Sequence, residues 1–256
     1  MTSQTKMTKI DQCFTVFDTD IAPSLIPAQL NDPFGDNVPE ICKIAALDLQ
    51  QFLSQNQENW LHDFGHDVKS DGDKKGKMFG VLVVKTKDGQ LGYLATFSGK
   101  LADEAHHSRF VPSLFDIKTD DYYLTKGMLE LDTMSKQIRA TKNTIEITQL
   151  KRERKNKSIK LQQWLFQQYH FLNHAGSTKS LIAIFEDKLG KIPPSASGEC
   201  AAPKLFQYAF KHQMKPIAIA EFWWGKSTKS QERIHLSHYP ACQERCKPIL
   251  TYMLGK

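Results

Sequence analysis

Residues 78–98 constrain this chain most. Met78–Val84 (MFGVLVV) is the longest apolar run, and its seven residues suit a strand. A second run, Leu91–Phe97, follows after Asp88-Gly89, the strongest short-range hairpin signal. The pattern predicts a hairpin of about 78–86 and 90–98, and hence an antiparallel sheet. A membrane helix needs roughly 18 or more apolar residues, so the same run excludes a transmembrane span.

The remaining elements are read around that hairpin. Residues 1–40 hold four prolines and a glycine between 23 and 39 and form an irregular arm, with a strand near Cys13–Phe17. Pro39 opens a helix whose stripe is Ile41, Ile44, Ala45, Leu47, Leu49, Phe52 and Leu53. Residues 63–77 and 99–122 read as loops. Leu131, Met134, Ile138 and Ile145 are spaced for a helix, as are Leu161, Trp164, Leu165, Gln168, Phe171 and Leu172. They imply either two amphipathic helices or one long one, with residues 151–160 as a hairpin tip or an exposed helical stretch. Residues 174–199 read as loop and short helix. A helix over Cys200–Gln213, a buried strand over 217–224 and a final helix over 241–254 complete the chain. The expected class is α+β: a small sheet with a β-hairpin and flanking helices, plus a long helical or coiled-coil insertion. Its parts are an arm, helix and hairpin (1–125), the insertion (126–175) and a cysteine-containing helix–strand–helix (176–256).

Composition fits a globular protein: 256 residues, 40% hydrophobic and 24% charged. The polar N-terminus lacks the apolar core of a signal peptide, so a cytoplasmic location without membrane association is expected. Charge is unevenly placed. Residues 1–60 carry a net −5, whereas 151–160 (KRERKNKSIK) and 194–256 each carry +5. The run Lys151, Arg152, Arg154, Lys155, Lys157 and Lys160 suits the phosphates of a nucleic acid. His106, His107 and Arg109 are further candidate RNA contacts.

Five cysteines are an odd number and too few for a disulfide scaffold. Cys200 opens one predicted helix, and Cys242 and Cys246 lie one turn apart on another. Helix N-termini favour the thiolate that binds metal. These three thiols read either as three corners of a tetrahedral zinc site, with His235 or His238 upstream as the fourth, or as inert buried core cysteines, or as a reactive thiol. A phosphate-binding Gly-rich loop and a Gly-x-Ser-x-Gly elbow are both absent. Of Trp223 and Trp224, strand alternation buries one and leaves the other at an edge or under a neighbour, with core packing as the default reading and base stacking as the alternative.

The order hairpin, thiol-bearing helix, strand, second thiol-bearing segment resembles the zinc-dependent nucleoside and nucleobase deaminases. The motifs depart from that family. The position of its catalytic glutamate is Ala202, and Pro240-Ala241-Cys242-Gln243-Glu244-Arg245-Cys246 is one residue too long in two places. Zinc is therefore expected to be structural. A rival reading is a base hydrolase in which Glu199 takes a displaced acid–base role.

A second resemblance covers nearly the whole chain. GKMFGVLVV (76–84), LGYLATFSGKLA (91–102), HHSRFVPSLFD (106–116), QQYHFLNHAGSTKSL (167–181), the 193–225 block and HYPACQERCKPIL (238–250) are similar to the N-terminal extension on one branch of the RluA-type RNA pseudouridine synthases. That family's catalytic Asp sits in an Arg-Leu-Asp motif, which does not occur here. The resemblance implies a non-catalytic, RNA-binding accessory region. It would serve a covalently linked or separate pseudouridine synthase domain acting on tRNA or rRNA, and would be inactive alone. The helical insertion offers a surface for homodimer formation.

Overall fold

The structure of the protein is a computed structural model that describes residues 12–56, 62–65, 76–101, 109–114, 122–227 and 232–255. Its centre is an antiparallel sheet of β1 (Phe14–Val16), β2 (Lys77–Lys85), β3 (Leu91–Phe97), β6 (Lys215–Trp224) and β7 (His238–Tyr239), in the order β1-β3-β2-β6-β7. The predicted hairpin is β2–β3, and Gly89 takes a φ of 85° in its turn. The arm supplies β1 where the sequence places a strand.

Alternation along these strands dictates two cores. Phe79, Val81, Val83, Tyr93, Ala95, Ala220 and Phe222 point to α1 (Glu40–Gln55), which buries Ile41, Ala45, Leu49 and Leu53. Pro39 caps α1, as predicted. Leu82, Val84, Leu94 and Ile219 point the other way, towards α4 (Leu181–Leu189), α5 (Ala201–Lys211) and α6 (Lys247–Leu254). Gly80 is on this second face. A Cβ there would lie 3.0 Å from Ala201 and 3.1 Å from Leu205, so its absence lets the start of α5 sit against the sheet.

Two irregularities shape the far edge. The β2–β6 register shifts between Val83 and Val84, opposite Pro216, whose missing N–H makes a bulge the natural place for it. β7 pairs with β6 only at Glu221 and Phe222. Beyond it, Asn31 does the work of a strand: its Nδ2 donates to Ile219 O (3.0 Å) and its Oδ1 accepts from Ile219 N (2.9 Å).

The insertion is a helical pair, α2 (Tyr122–Ala140) and α3 (Thr144–Gln168). The break lies at 141–143, where the Asn143 side chain accepts from the amides of Ile145 and Glu146 and starts α3. The basic run is therefore an exposed helical stretch and not the tip. Phe171 and Leu172 leave the predicted stripe: α3 stops at Gln168, and both residues lie in β4 (His170–Leu172), which pairs with β5 (Thr178–Ser180). The last helix also starts later than predicted, at Lys247. Pro248 in its first turn would clash with a preceding helical turn, so Cys242 lies in a turn before the helix. Among the described residues no helix is long and apolar enough to cross a membrane.

Two glycines test this packing. Gly89 and Gly225 both hold positive φ, 85° and 98°, but a Cβ at Gly89 meets open space and one at Gly225 would lie 2.4 Å from Phe64 O. Gly89→Ala should cost about 1 kcal/mol, the left-handed penalty alone, and Gly225→Ala roughly 3 kcal/mol or more. Urea unfolding measures both, and equal losses would contradict the close approach at Gly225.

Candidate metal centre

Three separate pieces of chain bring the thiols together. Cys200 is the N-cap residue of α5, which the close approach at Gly80 fixes against β2. β6 leaves α5 and β7 returns along it. The segment after β7 is tied to the arm by Ala241 N donating to Pro33 O (2.9 Å). Cys242 lies in this segment, and Cys246 caps α6. Ile249, Leu250 and Met253 anchor α6 in the core. The sulfurs of Cys200, Cys242 and Cys246 all lie within 4.8 Å of one another, and those of Cys242 and Cys246 are 3.4 Å apart. This cluster, fully buried only at Cys246, is geometrically compatible with zinc coordination.

Hydrogen bonding from Cys200, then Cys246 and the Arg245 and Cys246 amides, holds Cys242 far below the usual thiol range. The same contacts push Cys200 and Cys246 up: the leading cause at Cys200 is its bond to Cys242, and at Cys246 its bond to Cys200. Cys242 is the most open of the three, and so the first available to an incoming metal.

Neither predicted histidine joins the set, which among the described residues contains only the three cysteines. His238 lies on β7 with Nδ1 at 3.3 Å from Glu221 O, and burial holds its ring below the ordinary histidine value. His235 Nδ1 accepts from Gly225 N (3.0 Å). The Glu199 carboxylate accepts the hydroxyl of Tyr169.

The acid at this site is Glu221. Its Oε1 accepts from Ala202 N (2.9 Å), so it caps α5 from the neighbouring strand. Burial raises its carboxyl to about 7, against the pull of the Ala202 amide; Cys242 pushes it further up, and Arg233 and Lys204 draw it down. Lys204, 1% exposed on α5, lies with its ammonium 5.0 Å from the centre of the Phe97 ring. Burial lowers it to about 8, opposed by Glu199 and Cys200. Both residues were visible in the sequence as single charges inside apolar stretches, IAIAEFWW and KLFQYAF. Beside Glu221 a cleft of about 100 Å³ opens between Asn31–Val38 and the β6–β7 edge, with Ala202 and Ala241 in its lining.

The candidate RNA contacts are dispersed. Lys151, Arg152, Arg154, Lys155 and Lys160 are exposed on α3, and Lys157 is half-buried. Arg154 Nε donates to Ser135 Oγ (2.7 Å) and Lys157 pairs with Glu130, so these two tie α3 to α2. At about 100° per residue, Lys151, Arg152 and Lys155 share one outward sector. Arg109 is held inside, paired with Asp48 Oδ2 (2.7 Å) and stacked 4.5 Å from the centre of the Phe52 ring. His106 and His107 lie outside the described residues. Trp223 and Trp224 are both buried.

Zinc added to the purified protein should bind at one ion per chain, and Cys200→Ala, Cys242→Ala and Cys246→Ala should each abolish stoichiometric binding. Metal displaces thiol protons, so bound zinc should fall as pH drops towards about 5. A thousandfold excess of free zinc over its dissociation constant should stabilise the fold by about 4 kcal/mol. Atomic emission after dialysis and thermal melts check both, and full zinc content in Cys242→Ala would rule out the cluster as the site. In comparisons with known proteins, no family model matches the chain, and no curated protein or solved structure gives a significant match.

Proposed function

We propose that this chain is a zinc-stapled, RNA-binding accessory region of an RluA-type RNA pseudouridine synthase, handling tRNA or rRNA for a catalytic domain. The observation that carries the RNA-binding part is the outward sector of α3. Lys151, Arg152 and Lys155 project from a helix whose residues 144–160 are almost all exposed. The synthase context rests on the blocks at 76–116, 167–225 and 238–250. Without an Arg-Leu-Asp motif, the chain supplies no uridine isomerisation of its own. The sequence of hairpin, α5, β6 and α6 supports a deaminase-type core into which the helical pair is inserted, with zinc joining the two thiol-bearing ends. Three lysines and arginines on one sector give phosphate affinity without sequence choice.

The test is binding of labelled bulk tRNA across a salt series. Reversing Lys151, Arg152 and Lys155 together to Glu should weaken binding about tenfold or more. It should also flatten the salt slope by roughly 2, since each lost phosphate contact contributes about 0.7–0.9. Lys188→Glu, an exposed charge on α4, is the control and should change little. Unaltered affinity and slope in the triple variant would remove α3 from RNA binding.

A further inference from the structure

We propose that Cys242 and Cys246 form an oxidative modification site: a hydroperoxide joins them in a disulfide, and the metal staple is lost. The two sulfurs are already in contact at 3.4 Å, against a disulfide bond of about 2.05 Å. The two positions divide the roles that such a site needs. Cys242 is exposed and is followed by the exposed residues Gln243, Glu244 and Arg245, so an oxidant reaches it. Cys246 is 1% exposed, so it is shielded from the oxidant and yet touches the sulfur that meets it.

The chain selects this pair from the three sulfurs. Cys200 is the N-cap of α5, whose start is packed on the sheet at Gly80, so its backbone cannot follow a partner without moving the helix. Cys242 lies before α6, outside any helix or strand. Cys246 is pinned, because its carbonyl accepts from Leu250 N at 2.8 Å and Ile249, Leu250 and Met253 are buried. The sulfurs must close by about 1.4 Å, and Cys242 is free to supply that shift. The loop that bends is short and fixed at both ends, at Ala241 by its bond to Pro33 O (2.9 Å) and at Ile249 by the core. Bond formation there leaves the rest of the fold in place.

The chemistry balances with a hydroperoxide as the only added reagent. The Cys242 sulfur attacks one peroxide oxygen, the O–O bond breaks, and a sulfenic acid forms. The thiol proton goes to the departing oxygen, which leaves as water when the oxidant is hydrogen peroxide. The Cys246 sulfur then attacks the Cys242 sulfur. The S–O bond breaks, the Cys246 proton joins the departing hydroxide, and a second water leaves. Two electrons pass from the sulfurs to the peroxide, so two thiols and one hydrogen peroxide give one disulfide and two waters. Sulfurs bonded to each other no longer offer the thiolates that bind metal, and Cys200 is then the only thiol left in the cluster. This last consequence rests on the zinc-stapled reading of the chain; the disulfide itself does not. A dithiol reductant reverses the bond by exchange.

The test treats the full chain, zinc-loaded and chelator-stripped, with hydrogen peroxide. Trypsin cuts after Arg233 and Arg245 but not between Lys247 and Pro248, so the disulfide joins peptide 234–245 to peptide 246–256. Mass spectrometry should find this cross-link in both forms, and dithiothreitol should remove it. The loaded form should release one zinc to a chromogenic chelator for each cross-link formed. Cys246→Ser should halt the reaction at a Cys242 sulfenic acid that dimedone captures, and Cys242→Ser should lose the cross-link with no capture at Cys246. Melting curves of the untreated, metal-free variants show that each is folded. Absence of the cross-link from the chelator-stripped wild-type chain would overturn the proposal. So would a cross-link to Cys200 in its place, a disulfide-linked dimer, or dimedone on Cys246 instead of Cys242. Failure of the zinc reading is separate: the stripped chain then forms the cross-link, and the zinc-treated chain releases no metal because it held none.

Discussion

The hydrogen bond from Ala202 N to the Glu221 carboxylate holds the functional end of this protein together. An isolated carboxylate buried in a protein costs several kcal/mol, and this one is 7% exposed. Three features offset the cost: the positive end of α5, the amide of Ala202 and the charge of Lys204 on the same helix. In return the bond fixes α5 against β6, which sets Cys200 where Cys242 and Cys246 arrive. Remove the carboxylate and the first turn of α5 loses its cap, because the Cys200 side chain makes no capping bond.

The thiol cluster extends that junction to the end of the chain. Cys200 comes from the helix before β6, and the other two from the segment after β7. The topology alone brings them to one end of the sheet, since β6 carries the chain away and β7 carries it back. Asn31 and Pro33 brace the returning segment from the arm. The metal centre is therefore long-range in sequence at every contact except Cys242 to Cys246. Its formation reports on the whole C-terminal fold.

The sequence made the hairpin, α1, α5 and β6 legible because each has a clean period and a boundary marked by Asp88-Gly89, Pro39, Pro203 or Pro216. The convergence of the three cysteines was readable for the same reason, once α5 and the 241–250 segment were placed on either side of one strand. What escaped was set by long-range contacts. β4, β5 and β7 have two or three residues each, too few to show alternation. Phe171 and Leu172 fit a helical stripe by spacing, yet Phe171 is buried beneath α5 and α6 in a strand. His238 and Glu199 were candidates by proximity in sequence, but each is bonded to a partner elsewhere. Glu221 was passed over because a single acid in a strand looks incidental until its neighbour across the fold is known.

The helical pair and the thiol cluster draw on different physics. Residues 144–160 of α3 are polar on nearly every side, so the core contributes little to their order. They depend on the Asn143 cap, on Arg154 and Lys157 reaching back to α2, and on the close approach of Gly127 to Leu161. Such a pair opens locally at low cost. The cluster of Cys200, Cys242 and Cys246 lies at the starts of α5 and α6, whose Leu205, Phe206, Ile249 and Leu250 are fully buried. Opening there requires the core to open.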